Sequence, residues 1–138
     1  MMTSTFVDIE TMARTLWGEA RSEGKVGMEA VAAVIQNRAN DLRWPPSFAA
    51  VCKQRAQFSC WLSNDPNLPK LLEVGLEDPQ FAMAYAIAAR AAADDLEDRI
   101  AGANHYLTSA LFERSDRPSW ADPDAVTCRV GRHVFLRL

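Results

Sequence analysis

The stretch LWGEARSEGKVGMEAVAAVIQNRAN, residues 16–40, carries the pattern that predicts the fold of this chain. It places one carboxylate, Glu19, at the end of a short apolar helical pattern, ahead of a glycine-bearing loop. A helix from Met28 follows, and its apolar content nearly encircles it, which is typical of a central, buried helix. A carboxylate at such a junction is partly desolvated, so we expect burial to raise its pKa and favour the protonated acid. An ordinary surface glutamate near a helix end is the alternative interpretation.

Length and composition indicate one globular domain over residues 1–138. Hydrophobic residues make up 49% and charged residues 24% of the 138 residues, and the formal net charge is -3. Without a basic excess, we expect no nucleic-acid partner. No apolar run reaches the ~18 residues that a transmembrane helix needs, so we expect no stable membrane insertion.

The N-terminus and the cysteines bear on the compartment. Residues 1–17 lack a basic segment followed by a sustained apolar one, so we expect synthesis in the cytoplasm without a signal peptide. Cys52, Cys60 and Cys128 form no CxxC pair, and their odd number leaves at least one thiol unpaired within a chain. This usage favours a reducing compartment with buried or inert thiols.

Helical periodicity divides the first half of the chain. Asp8 is the expected N-cap of the first helix, whose apolar pattern ends at Gly18. Residues 22–27 contain two glycines and are predicted to form a loop. Ser47 follows two prolines and is expected to cap a short helix that runs through Val51.

The middle of the chain has one strong helix and one ambiguous segment. Residues 54–61 lack clear periodicity and are predicted to hold a short strand or a binding loop. Residues 67–74 are expected to form one or two helical turns. The strongest pattern runs from about Pro79 to Leu96, with the proline suited to the first turn and alanines throughout.

The C-terminal part reads differently from the rest. Residues 102–109 are predicted to be a loop, whereas AVTCRVGRHVFLRL, residues 125–138, alternates between apolar and polar side chains. This alternation predicts a strand pair or a bulged strand, with a turn at Gly131 and Arg132. The expected fold class is therefore α+β, mainly α, with a small β element near the C-terminus.

Short motifs occur in a fixed order along the chain. They are WGEAR at 17–21, GMEAVAAVIQNR at 27–38, WPPSF at 44–48, QFS at 57–59, ANHY at 103–106, PSW at 118–120 and VGRHVF at 130–135. GEAR alone is weak evidence, but the ordered set extends over about 120 residues. In this set the chain resembles the cell wall hydrolase family that includes the spore cortex-lytic enzymes.

The resemblance implies a lysozyme-like fold and a peptidoglycan glycan strand as the substrate. The bond is the β-1,4 link from N-acetylmuramic acid to N-acetylglucosamine, and the general acid of the family corresponds to Glu19. Trp120, in a proline-rich loop, is a further candidate for stacking on a sugar ring, with ordinary packing as the alternative. The substrate-binding residues, expected to line or support the groove, are Gln57, Phe58, Tyr106, Trp120 and His133.

Glycan cleavage needs a proton on the leaving oxygen and stabilisation of an oxocarbenium-like transition state. Glu19 supplies the proton, and Arg14 and Arg21 are expected to point away from it. A hydrolytic muramidase also needs a second carboxylate, and no available candidate has a distinctive position. The candidates are Glu23, Glu29, Asp41 and Asp65.

A lytic transglycosylase needs one glutamate alone, which acts first as acid and then as base. The 6-hydroxyl of muramic acid then attacks in place of water and gives a 1,6-anhydro end. The lack of an obvious second carboxylate, together with the family resemblance, favours this route over the hydrolytic muramidase.

The spore enzymes add a secretion signal and a wall-binding repeat domain, and neither is expected here. This arrangement is more similar to a phage or prophage endolysin. Such an enzyme acts on the bacterial wall after release through a membrane lesion made by a holin-type partner.

Three rival interpretations remain. A cysteine peptidase would use Cys52 or Cys60, but neither lies at a predicted helix N-terminus, where the thiol pKa is lowered. A zinc site from the cysteines and histidines lacks metal-ligand spacing, so we expect neither a metal nor a cofactor. The third is a non-catalytic wall-binding or virion structural protein, and the presence of Glu19 argues against it.

Overall fold

In the computed structural model, which describes residues 5–54 and 57–138, a helical body carries a small antiparallel sheet near the C-terminus. This confirms the mainly α class with its small β element. The helices are α1 (Phe6–Ala20), α2 (Gly24–Ala39), α3 (Phe48–Cys52), α4 (Leu68–Glu73), α5 (Pro79–Ala92) and α6 (Ser109–Phe112). The strands are β1 (His105–Thr108), β2 (Val126–Val130) and β3 (His133–Leu136).

Helix α1 begins earlier than its sequence indicates, and the prediction of Asp8 as its N-cap is wrong. The N-cap is Thr5, whose hydroxyl accepts a hydrogen bond from the Asp8 backbone N–H at 3.3 Å. Asp8 Oδ2 accepts the Thr5 backbone N–H at 3.0 Å, which completes a capping box. Asp8 Oδ1 also accepts the Ala49 backbone N–H at 2.9 Å, so one carboxylate joins α1 to α3.

The other end of α1 also departs from the prediction. The helix continues through Gly18 to Ala20, and the segment predicted to be a loop forms a 3₁₀ turn and the start of α2. Gly18 permits close packing instead of ending the helix, because a Cβ there would lie 2.8 Å from the Cβ of Cys60. The change of direction falls at Gly24, whose φ of 73° suits glycine.

The main core lies between α1, α2 and α5. As predicted, α2 is central and carries buried side chains around most of its circumference. Burial of each large apolar side chain contributes about 1.5–3 kcal/mol. Helix α5 ends at Ala92 and not near Leu96, because the chain turns away through Asp94 at a φ of 57°. The largest fully buried side chains include Met12, Leu16, Met28, Ile35, Phe48, Phe81, Ile87 and Phe135.

The sheet has the strand order β1-β3-β2 with antiparallel pairing throughout. The strand pair predicted near the C-terminus is confirmed, with a turn at Gly131 (φ 55°) and an irregularity between Val126 and Cys128. Strand β1 was not predicted, and the loop expected at residues 102–109 is wrong. In β1, Tyr106 pairs with Phe135.

The remaining segments agree with the predictions in part. Ser47 caps α3 through a hydrogen bond from the Ala50 N–H to its hydroxyl, and α4 forms where helical turns were expected. In the ambiguous segment, residues 55–56 lie outside the described part; its described residues form turns and a 3₁₀ helix at Ser59–Trp61 and contain no strand. None of the described helices combines the length and the apolar character that crossing a membrane requires.

Candidate active site

A cavity of about 490 Å³ opens where the end of α1 faces the turn between β2 and β3. It contains Glu19, the acid predicted from the sequence, at the last turn of α1. A wider groove of about 590 Å³ lies elsewhere, near residues 37–43 and the C-terminal residues, and does not include Glu19. The chemistry of the lining therefore favours the first cavity, which is lined by Glu19, Ser22, Glu23, Thr108, Ser109, Ala110, Arg132 and His133.

Glu19 is held as an acid by its surroundings. Burial raises the pKa of Glu19 above its usual value, and the negative charge of Asp65 acts in the same direction. The Tyr106 hydroxyl and contacts with Cys60 oppose this rise in pKa without cancelling it. The neutral carboxylic acid is therefore favoured over a wider pH range than in an exposed glutamate.

Tyr106 fixes one oxygen of Glu19. Its hydroxyl donates a hydrogen bond to Glu19 Oε1 at 3.1 Å, and its ring stacks on Phe135 with centroids 5.6 Å apart. Burial raises the pKa of Tyr106 well above its usual value, so the phenol stays a donor. This bond, together with the contacts from Cys60, fixes the orientation of the Glu19 carboxyl group. Tyr106, predicted to contact substrate, thus contacts the acid itself.

Arg14 and Arg21 point away from Glu19, as predicted. Nη1 of Arg14 donates to the carbonyl oxygens of Leu71 and Val74 at 2.7 and 2.9 Å. Nη1 of Arg21 donates to the Trp17 carbonyl at 2.8 Å, and its guanidinium lies over the Trp17 ring. Neither guanidinium is placed to lower the pKa of Glu19.

The cysteines near the site are poor nucleophiles. Burial raises the pKa of the Cys52 thiol to about 12, and burial together with the nearby Glu19 raises the pKa of the Cys60 thiol still further. Both thiols therefore stay protonated near neutral pH. This argues against the cysteine peptidase interpretation.

Glu23 is the second carboxylate of the cavity, and the sequence alone did not single it out. Its Oε1 accepts the Arg132 backbone N–H at 3.3 Å and lies 3.4 Å from Arg132 Nε and 3.2 Å from His133 Nδ1. Only 12% of the Glu23 side chain is exposed. The side chain fits between two glycines, since a Cβ at Gly27 would lie 2.3 Å from its Cβ and one at Gly131 3.3 Å from its Oε2.

The other carboxylates proposed for the second role are engaged elsewhere. Glu29 pairs with Arg90 at 3.1 Å, and Asp41 pairs with Arg43 at 2.8 Å. Asp65 Oδ1 accepts a backbone N–H at 2.8 Å in its own turn. None of the three lines the cavity of Glu19.

His133, predicted to line or support the groove, connects the two glutamates. Its ring packs edge-on against Tyr106, with centroids 5.3 Å apart and an interplanar angle of 78°. A continuous set of contacts thus runs from Glu23 through His133 and Tyr106 to Glu19.

The other residues predicted to bind substrate lie outside this cavity. Phe58 is 3% exposed and packs in the core, so of the two roles predicted for it, lining or supporting the groove, support is the one that its burial favours. Gln57 is exposed, and its Oε1 accepts a hydrogen bond from Arg38 Nη1 at 3.1 Å. Trp120 is 39% exposed. Roles for Gln57 and Trp120 stay predictions.

An aromatic cluster of Trp44, His105 and Trp120 was not predicted as a unit. The His105 ring lies 5.9 Å from the Trp44 ring and 5.2 Å from the Trp120 ring, between centroids. Burial, with Arg38 and Arg43 nearby, lowers the pKa of His105 to about 4, so the ring is neutral. The sequence gives little signal for this cluster, because its members come from separate segments.

Metal-binding side chains are dispersed in the described part of the chain. Within residues 5–54 and 57–138, no group of three or more histidines, cysteines, aspartates and glutamates is arranged to hold a metal ion. His105 and His133 take part in different aromatic contacts.

Two sequence comparisons bear on the family. The family model described as Cell Wall Hydrolase matches residues 22–136, a span that begins just after Glu19. A spore cortex-lytic enzyme from Halalkalibacterium halodurans is 31% identical over 131 residues, which are 93% of this chain and 34% of that protein. The chain thus spans about a third of the length of this relative.

Two solved structures have the same fold. The catalytic domain of the germination-specific lytic transglycosylase SleB from Bacillus anthracis matches with a TM-score of 0.69 at 23% identity, over 96% of each chain. The catalytic domain of the Bacillus cereus SleB protein matches with a TM-score of 0.72 at 22% identity, over 97% of this chain and 92% of that one. The fold that the sequence resemblance implies is thereby confirmed.

Proposed function

Because the chain belongs to the cell wall hydrolase family, we propose that it cleaves the glycan strands of peptidoglycan between N-acetylmuramic acid and N-acetylglucosamine. It acts as a lytic transglycosylase and leaves 1,6-anhydro ends. One observation carries this proposal. Glu19 lines a cavity, its pKa is raised, and its Oε1 accepts a hydrogen bond from the Tyr106 hydroxyl. The names of the relatives, a spore cortex-lytic enzyme and a lytic transglycosylase, agree with it.

In the first step Glu19 is the general acid. The proton of its carboxyl group passes to the glycosidic oxygen as the bond from that oxygen to C1 of muramic acid breaks. Glu19 is left as a carboxylate in a partly buried position, which is costly without a partner. The Tyr106 hydroxyl supplies that partner, because a hydrogen bond to an ionised acceptor is stronger than one to a neutral acceptor.

In the second step Glu19 is the general base. The 6-hydroxyl oxygen of muramic acid forms a bond to C1, and its proton passes to the Glu19 carboxylate. This restores the neutral acid, so one glutamate completes the cycle and water takes no part.

A hydrolytic muramidase is the second candidate, and Glu23 favours it. This carboxylate lines the same cavity and is a possible base for a water molecule. Its Oε1 is already in contact with Arg132 and His133, which leaves less of the carboxylate free to contact a water molecule. We therefore place it second.

The test is digestion of purified peptidoglycan with the wild type and Glu19→Gln, followed by mass spectrometry of the released muropeptides. Glu113→Gln is the matched control, since it makes the same change at an exposed glutamate that pairs with Arg129 outside the cavity. Anhydro ends from wild type and control, but not from Glu19→Gln, are the expected result.

Other products would overturn parts of the proposal. Reducing muramic acid ends from the wild type mean a muramidase, and cleaved peptide bonds mean a different enzyme class. Wild type that binds the wall without releasing fragments is a non-catalytic wall-binding protein. Full activity in Glu19→Gln would remove Glu19 from the mechanism.

A further inference from the structure

Glu23 and His133 form a rigid pair at the wall of the cavity. Glu23 Oε1 and His133 Nδ1 are 3.2 Å apart, and the two side chains are 12% and 16% exposed. Gly27 has no room for a Cβ, which would lie 2.3 Å from Glu23 Cβ, and a Cβ at Gly131 would make a tight contact of 3.3 Å with Glu23 Oε2. The Arg132 backbone N–H, at 3.3 Å from the same oxygen, limits its movement further.

This pairing determines what His133 offers to the cavity. A carboxylate beside Nδ1 favours the tautomer with the proton on Nδ1, which leaves Nε2 with a lone pair. Among the described residues, no group hydrogen-bonds to Nε2, and Nε2 is not among the buried atoms that lack a partner. Because His133 lines the same cavity as Glu19, a substrate in that cavity can reach its ring.

A hydrogen-bond acceptor at this position would help the 6-hydroxyl of muramic acid to compete with water in the open cavity. Its volume of about 490 Å³ has room for many water molecules, and each is a rival nucleophile for C1. An internal hydroxyl outcompetes water when it is held in the attacking geometry, because its effective concentration is then very high. A lytic transglycosylase therefore needs a group that holds the 6-hydroxyl.

We propose that His133, oriented by Glu23, accepts a hydrogen bond from the attacking 6-hydroxyl of muramic acid and thereby sets the ratio of anhydro to reducing ends. The inference rests on the proposed function. His133 touches the substrate, and Glu23 is a positioning residue that acts through it. The hydroxyl has one hydrogen, so its bond to His133 holds O6 in place before the attack. As the C1–O6 bond forms, that hydrogen turns from Nε2 to the Glu19 carboxylate, which takes the proton, so His133 takes up no net proton.

The experiment measures both kinds of ends, and the rate of their release, from purified peptidoglycan. In His133→Ala we expect the anhydro-forming rate to fall about tenfold, the value of one hydrogen bond, and the proportion of reducing ends to rise. Glu23→Ala shifts the products in the same direction. Glu23→Gln keeps the wild-type ratio, because its amide oxygen still accepts from Nδ1–H.

Two further variants separate this role from a structural one. His133→Phe keeps an aromatic ring against Tyr106 but removes both nitrogens, so it tests the inference if His133→Ala does not fold. Glu113→Gln is the control for charge loss at a distant site. Thermal melting and circular dichroism establish which variants are folded.

The outcomes distinguish the inference from the proposal beneath it. Anhydro ends in unchanged proportion from a folded His133→Phe or His133→Ala variant overturn the inference and leave the lytic transglycosylase intact. Wild type that releases no anhydro ends overturns the proposed function itself. A shift to reducing ends in both His133 variants, with the wild-type ratio in Glu23→Gln, supports the inference.

Discussion

Glu19 and Glu23 lie four positions apart and line one cavity, yet their surroundings are opposite. Glu19 is buried beside a phenol and a thiol, and its pKa is raised by burial. Glu23 is nearly as enclosed, but it faces an arginine and a histidine at 3.4 and 3.2 Å. Burial away from a cation raises the pKa of Glu19, whereas contacts with Arg132 and His133 hold the Glu23 side chain in place. Under the proposed function, the same type of side chain transfers a proton at position 19 and orients a neighbour at position 23.

Substitution of each glutamate by glutamine gives the largest contrast. Glu19→Gln should lower the rate of peptidoglycan solubilisation by about 10²- to 10⁴-fold, the usual value of a general acid. Glu23→Gln should lower it about tenfold or less, because its hydrogen bonds are retained. The fall in turbidity of a wall suspension measures both rates. Equal losses in the two variants would contradict the division of roles and favour the muramidase.

Removal of the Tyr106 hydroxyl leaves Glu19 buried without its hydrogen bond from the phenol. Tyr106→Phe should reduce activity about 10- to 100-fold, because the carboxylate formed in the first step loses a hydrogen bond to a charged group. The Tyr106 hydroxyl lowers the pKa of Glu19, so its loss should raise that pKa further. The alkaline limb of the pH–rate profile should then move to higher pH. An unshifted limb would mean that Glu19 does not control it.

A methyl group at Gly27 tests how tightly Glu23 is held. Gly27→Ala should destabilise the fold by about 1–3 kcal/mol, as overpacking does, although alanine favours a helix over glycine. The reason is the 2.3 Å approach of the added Cβ to Glu23 Cβ. In a Glu23→Gly background, where the obstructing Cβ is absent, the penalty should shrink. Urea unfolding of the four proteins of this cycle gives the coupling.

The smallest expected effect is on stability. Since the folded pKa of Glu19 is raised by burial, ionisation favours the unfolded chain as the pH rises above the unfolded pKa. Glu19→Gln, which mimics the neutral acid, should therefore melt at a higher temperature than wild type at neutral pH. The difference should vanish as the pH falls below the ordinary glutamate range. A variant less stable than wild type at neutral pH would show that the carboxylate is not strained.

The helical body could be predicted largely because its signals are local. The apolar circumference of α2 and the alanines of α5 show in any short window of sequence. The boundaries were less predictable, since Thr5 and Asp8 exchange hydrogen bonds that periodicity does not reveal. Strand β1 has only four residues. It is a strand because it pairs with β3, which lies almost 30 positions later in the chain.

The site also contains some residues that local sequence indicates and others that only distant contacts reveal. Glu19 could be inferred from its junction between two helical patterns. The role of Glu23 could not, because its partners lie 109 and 110 positions away and come near only through the β2–β3 turn. The motif VGRHVF pointed to His133, but it does not indicate that Glu23 is the residue that contacts it. Residues that act through distant contacts need the fold before they can be assigned.

The close approach of Gly18 to Cys60 has a consequence for how such chains diverge and how they are engineered. A side chain at position 18 would meet Cys60 Cβ at 2.8 Å and its Sγ at 3.0 Å. Cys60 in turn contacts Glu19, so position 60 is limited both by helix spacing and by the acid. The two positions should covary among homologous chains, and saturation mutagenesis of either alone should recover few active variants. A library that changes both together is the practical route to retuning the acid.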